Sequence, residues 1–110
     1  MQYRHVPKNG DQLSALGYGC MRFPTRLGGI DEKKAERQMM HALDQGINYF
    51  DTAYPYHSNK SEPFVGKVFS NNNCRDKVKL ATKLPHWMTH SKAEMEDILD
   101  EQLAKLRTDR

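Results

Sequence analysis

The sequence predicts an α/β protein with a parallel sheet, preceded by an N-terminal hairpin. Three observations predict it. After residue 17, short strand-like runs alternate with longer amphipathic ones, the pattern of βα units. An Asn-Gly turn divides the segment before them into two short extended runs. Two charged residues, Asp51 and Lys83, stand at the ends of successive strand-like runs, where parallel sheets place their chemistry.

The hairpin spans residues 2–16: Gln2 to Val6, the turn Pro7-Lys8-Asn9-Gly10, and Gln12 to Leu16. Gly17-Tyr18-Gly19 then demands tight bends or a close approach of the backbone to a neighbour. Ile30 to Gln45 reads as a helix, with Asp31 as N-cap, Ala35, Met39, Ala42 and Leu43 as its apolar stripe, and Gly46 as its stop. Met39 is helix core and Met40 helix edge. Ile47 to Phe50 is a strand ending at Asp51. A loop containing Pro55 runs from Thr52 to Lys60.

Ser61 is the expected N-cap of the next helix, with Pro63 tolerated in the first turn and Phe64, Val65, Val68 and Phe69 buried. Gly66 inside that stripe implies close packing. Val78 to Thr82 is the third strand, with Lys83 at its tip. Ser91 to Leu106 is the last helix. Ser91 and Glu94 are spaced as a capping box, and Met95, Ile98, Leu99, Leu103 and Leu106 form one face. No strand-like run follows, although a parallel sheet requires one.

The chain has 110 residues, of which 37% are hydrophobic and 28% charged, a globular composition suited to one small domain. Seventeen basic against 14 acidic residues give a net charge of +3. The basic residues are interleaved with acids, as in Asp31-Glu32-Lys33-Lys34, so no nucleic-acid partner is expected. No apolar run approaches the ~18 residues of a membrane span, and the polar N-terminus does not read as a signal peptide. A cytoplasmic protein is the expectation. Cys20 and Cys74 lie far apart and read as free thiols.

Asp51 and Lys83 can pair at adjacent strand ends, and Tyr56 lies five residues beyond Asp51. An ammonium beside a phenol favours the phenolate. A phenol tuned in this way can hand a proton to a carbonyl oxygen. The same three residues also fit a structural ion pair with a surface tyrosine.

The surrounding residues favour the chemical reading. Gly46-Ile47-Asn48-Tyr49-Phe50-Asp51-Thr52-Ala53, then Tyr56, then Ser61-Glu62-Pro63-Phe64-Val65-Gly66, resemble the signature of the aldo-keto reductase family. Leu80-Ala81-Thr82-Lys83 resembles its second catalytic strand. Leu16-Gly17-Tyr18-Gly19-Cys20-Met21-Arg22 resembles its first strand and cofactor-contacting turn. The Tyr-Pro-Tyr-His loop and Lys83-Leu84-Pro85 are most similar to a bacterial branch with a C-terminal ferredoxin-like segment.

The resemblance implies a (β/α)8 TIM barrel, of which residues 1–110 would form the hairpin and roughly three βα units, an incomplete barrel of a fold that needs about 200 residues. It implies an oxidoreductase that reduces aldehydes and ketones with NADPH. Tyr56 would be the acid, Lys83 its modulator and Asp51 the partner of Lys83. Gly19, Cys20, Met21 and Asp51 would flank the nicotinamide. The family's histidine strand and most of its cofactor contacts fall beyond Arg110, so a fragment without activity of its own is expected. An iron–sulfur cluster needs about four cysteines, and two distant ones supply none in this chain.

Other residues are weaker candidates. His86 and His90 have zinc-like spacing but fall in a loop, and no metal site is expected. Tyr54 is a second phenol, ranked below Tyr56. His57 does not match the family's histidine. Trp87 either lines a substrate pocket or covers the sheet. Cys20 is equally a small buried hydrophobe. Two rival functions remain: a complete small α/β protein binding a partner through its open sheet edge, and a nucleotide-binding module without catalysis. For a barrel section, unpaired edges around Val78-Lys79-Leu80-Ala81 imply self-association or aggregation.

Overall fold

A computed structural model describes all of residues 1–110. The N-terminal hairpin forms as expected: β1 (Tyr3–His5) pairs antiparallel with β2 (Gln12–Ser14). Gly10 takes the positive φ of +80° that its turn requires. Tyr18–Gly19, which the residues alone mark only as a tight segment, is a short strand, β3.

A second, two-residue hairpin follows that the sequence reading did not separate from the helix after it. It comprises β4 (Thr25–Arg26) and β5 (Gly29–Ile30), joined through Leu27 and Gly28, both at positive φ. Helix α1 (Glu32–Asp44) therefore starts two residues later than its apolar pattern suggests. Asp31 caps it by accepting from the Lys34 N–H at 3.2 Å, and Gly46, at φ +94°, ends it.

The central sheet has the order β3-β6-β7, all parallel, with β6 at Tyr49–Asp51 and β7 at Lys79–Ala81. Gly19, Asp51 and Ala81 lie on one rung. Tyr18, Phe50 and Leu80 occupy the rung before it. Phe50 is fully buried and meets Phe69 edge-on with centroids 4.9 Å apart. Alternation along the strand turns Asp51 to the opposite face, which no helix covers.

Helix α3 (Ser61–Asn71) supplies Phe64, Val65, Val68 and Phe69 to the core, as its pattern requires, and α1 adds Ala35 and Met39. Two expectations fail at its start. The segment before it is not simply a loop: Tyr56–Asn59 (α2) makes one turn in which His57, Ser58 and Asn59 are all left-handed. Ser61 is not the N-cap. It is the first helical residue, and its hydroxyl is buried against the Thr52 hydroxyl at 2.8 Å.

Helix α4 (Lys92–Leu106) is capped by Ser91, whose side chain accepts from the Glu94 N–H at 3.2 Å. The reciprocal half of the box is shifted by one residue, because the Glu94 carboxylate takes the His90 N–H instead. The expected apolar face is only partly used. Leu106 is buried, and with Lys105 it presses its backbone on Gly66 of α3, whereas Met95 and Leu99 are 43% and 49% exposed. The buried residue at the centre of that face is Gln102. No helix is long and apolar enough to cross a membrane.

The first hairpin closes the N-terminal end of the sheet. Asn48, just before β6, accepts from the Ser14 N–H at 2.8 Å and donates to the Gln12 carbonyl at 2.8 Å. Lys79 pairs with Asp11 at 2.7 Å. The opposite, C-terminal end is left free.

Candidate active site

At that free end, Asp51 closes β6 and Lys83 lies two residues beyond β7. Parallel pairing of the two strands places their ends side by side. The Lys83 ammonium donates to Asp51 Oδ1 at 2.6 Å and to the Thr52 carbonyl at 2.8 Å. It also lies 4.8 Å from the centroid of the Tyr56 ring. Burial pulls the Lys83 ammonium down, but the hydrogen bond to Asp51 and the neighbouring Tyr56 outweigh it and hold the group above the ordinary lysine range. The pair is open to water, with about half of the Lys83 side chain exposed.

Tyr56 reaches Lys83 because the chain turns sharply after Pro55. The turn is costly for three successive non-glycine residues, at roughly 1–3 kcal/mol each, and is held by its surroundings. The His57 ring accepts the Phe23 N–H at Nε2, 3.1 Å away, and stacks on Phe23 with centroids 5.4 Å apart. His57 is thus a strut between α2 and the turn at Cys20–Arg22, a role its sequence position does not announce. Tyr54 is committed elsewhere: its hydroxyl donates to Glu101 at 2.8 Å and its ring lies under the Lys105 ammonium at 3.7 Å.

The residues expected to flank a nicotinamide divide into two kinds. Gly19 is exposed beside Asp51, and a Cβ there would meet nothing within 4 Å. Met21 is half-exposed. Cys20, in contrast, is fully buried, its side chain in the hydrophobic core and its carbonyl accepting from the Ser61 hydroxyl at 3.5 Å, so it offers no open surface to a ligand. Its thiol is pushed up to about 12, chiefly by burial and then by the Asp51 charge, with Lys83 opposing. Cys20 and Cys74 are free and buried. Trp87 is 56% exposed and meets His86 edge-on, while His90 lies just before the α4 cap.

Sequence reasoning missed the polar layer beneath the site. Glu62 is completely buried, and its Oε1 accepts from Thr82 at 2.6 Å and from Gln102 at 2.7 Å. The available signal was Gln102 itself, a polar residue in the apolar stripe three residues after Leu99 and four before Leu106.

Residues 15–110 match the pattern of the aldo/keto reductase family. Among curated proteins, the aldo-keto reductase YhdN of Bacillus subtilis is 34% identical over 99% of this chain, which covers 35% of that protein. The uncharacterized oxidoreductase YrpG of Bacillus subtilis is 40% identical over 76% of the chain, covering 26% of that protein. Among solved structures, the holo form of aldo-keto reductase AKR11C1 from Bacillus halodurans superposes with a TM-score of 0.77 at 34% identity, over 99% of this chain and 37% of that one. An aldo-keto reductase from Klebsiella pneumoniae in complex with NADPH superposes with a TM-score of 0.79 at 25% identity, over 99% and 37%. The chain thus spans about a third of the length of these relatives, and its three parallel βα units are a section of their barrel.

Proposed function

Because this chain belongs to the aldo/keto reductase family, we propose that it carries the proton-donating side of a site that reduces aldehydes and ketones with NADPH, completed in a full barrel. The observation that carries the reading is the convergence of Asp51, Lys83 and Tyr56 at one end of the sheet. Tyr56 gives its phenolic proton to the carbonyl oxygen. The Lys83 ammonium steadies the phenolate left behind, and Asp51 with the Thr52 carbonyl fixes the ammonium.

When bound, a nicotinamide cofactor would be the source of the hydride for the carbonyl carbon. The residues present fit its nicotinamide end. The Gly19 backbone is open and flat beside Asp51, and Met21 offers an exposed apolar contact. Cys20, buried as a whole residue, stands behind this surface and offers no contact of its own. Contacts to the phosphates and adenine, and the family's histidine, belong to the remainder of a barrel. Two free, buried thiols suit a reducing, cytoplasmic setting.

The two phenols provide the test. In a complete barrel beginning with these residues, Tyr56→Phe is expected to lower kcat for a small aldehyde by ~10²-fold or more, while Tyr54→Phe leaves it within a few-fold. Comparable losses from both substitutions would refute the assignment of Tyr56.

A further inference from the structure

Glu62 is a fully buried carboxylate at the second position of α3, outside the group that faces the reacting carbonyl. Its Oε1 gathers two donors, the Thr82 hydroxyl and the Gln102 amide. Its Oε2 has no hydrogen-bond partner, and its counter-charge is Lys105, 3.9 Å away. The N-terminal turn of α3 adds favourable dipole character to a carboxylate at this position. Removing the charge from water has a high cost, so a purely structural role is inefficient: an apolar pair of similar volume would fill the same space.

The two donors point to a use. Thr82 is the residue immediately before Lys83. Gln102 donates a second hydrogen bond, at 2.9 Å, to the Lys83 carbonyl itself. Beyond its last paired residue, Ala81, β7 has only β6 as a neighbour, so the backbone bearing Lys83 gets no further help from the sheet. Gly66 makes the arrangement possible. A Cβ there would fall 2.4 Å from the Lys105 carbonyl oxygen, so α4 approaches α3 closely enough for Gln102 to reach under the strand end.

We propose that Glu62 and Gln102 are positioning residues for Lys83: the buried carboxylate orients the Gln102 amide and Thr82 hydroxyl, which together fix the strand end from which the ammonium reaches Asp51 and Tyr56. The proposal rests on the reading of Asp51, Lys83 and Tyr56 as the proton-donating group. It extends that reading to a buried layer that touches neither substrate nor cofactor.

The test uses this chain at low concentration and needs no turnover. Competitive acetylation with acetic anhydride across alkaline pH, quantified peptide by peptide, reads the reactivity of Lys83 against Lys92, which is 89% exposed. In the parent chain Lys83 is expected to be protected relative to Lys92. Gln102→Met, which keeps the volume and removes both donors, is expected to raise the Lys83 to Lys92 ratio several-fold. It should also bring the Lys83 midpoint down toward that of a free lysine, ~10.4. Glu62→Gln retains an acceptor oxygen for both donors and should keep most of the protection. Leu106→Ala weakens the same helix packing without touching the polar layer and should leave the ratio unchanged.

If circular dichroism shows Gln102→Met to be unfolded, Thr82→Val takes its place with the same expectation. Asp51→Asn separates the two levels of the argument. A Lys83 that responds to Asp51→Asn but not to Gln102→Met or Thr82→Val overturns the positioning role alone. A Lys83 that ignores Asp51→Asn overturns the ion-pair reading of the site as well. A rise with Leu106→Ala equal to that with Gln102→Met shows only general loosening and also overturns the proposal.

Discussion

Cys20 shows how one position can carry two readings that only packing separates. Its place after Gly19 makes it a neighbour of any ligand at the strand end, yet its side chain belongs to the core. Its thiol, pushed up to about 12, stays protonated in the folded chain well above the pH at which an unfolded thiol ionises. The sign follows from linkage. A folded-state value raised above the unfolded one contributes stability that is complete below about pH 9 and is lost as pH rises toward about 12. Lys83, also raised, acts in the same direction. Cys20→Ala is therefore expected to flatten the decline of folding stability over that range, measured by urea titration at a series of pH values. An undiminished slope would contradict it. Both cysteines should likewise resist thiol reagents at neutral pH until the chain unfolds, as pulsed alkylation would show.

At this scale the grouping of the candidate site was largely legible. Asp51 and Lys83 were readable because strand ends are readable, and the spacing of Tyr56 set it apart from Tyr54. Ser61 and Glu62 were not. Both carry the residue types of a helix start, so local rules assign them to capping and solvent. Their burial depends on Thr52, Thr82 and Gln102, nine to forty residues distant.

Among the elements, the strength of the periodic signal decided what could be read. The stripes of α1 and α3 pack as their spacing requires. The α4 stripe is as regular, but Met95 and Leu99 remain exposed, since periodicity reports a face and not whether anything covers it. The left-handed turn at His57–Asn59 was illegible, because no glycine marks it and it is held by a distant contact to Phe23. Gly66 gives a direct test of how closely the helices fit. Substituting alanine in a helix interior ordinarily gains ~1 kcal/mol. Here the added methyl would sit 2.4 Å from the Lys105 carbonyl oxygen and 2.7 Å from the Leu106 backbone, with no flexible side chain to yield. Gly66→Ala is expected to destabilise by ~1–3 kcal/mol, the usual cost of overpacking, and to lower the melting temperature. A rise in melting temperature would show that α4 is not seated as closely as described.

Taken whole, the molecule is a slab about 21 Å thin whose sheet has two open sides. Both β3 and β7 pair only with β6, so each presents a free edge, and the face carrying Asp51 has no covering layer. Unpaired edges on a molecule that also exposes Trp87 and Leu99 favour pairing between copies. The isolated chain is expected to self-associate, with weight-average mass in sedimentation rising with concentration. A monomer that unfolds cooperatively would instead support a complete small domain that engages a partner through its edge. The same openness bears on activity. Holding hydride donor and carbonyl in reactive geometry contributes on the order of 7–11 kcal/mol, and on the proposed reading this chain offers only Gly19, Met21 and Asp51 toward the cofactor. The water around Lys83 also weakens its hold on Tyr56.

The most direct test is the loss of NADPH absorbance with a small aldehyde, followed in parallel for the 110-residue chain, for a complete barrel beginning with it, and for that barrel with Tyr56→Phe. The expected result is turnover by the barrel, its near-abolition by Tyr56→Phe, and none by the chain alone. Full turnover by the Tyr56→Phe barrel, or robust Tyr56-dependent turnover by the short chain, would contradict the claim that these residues form the proton-donating part of a site completed elsewhere.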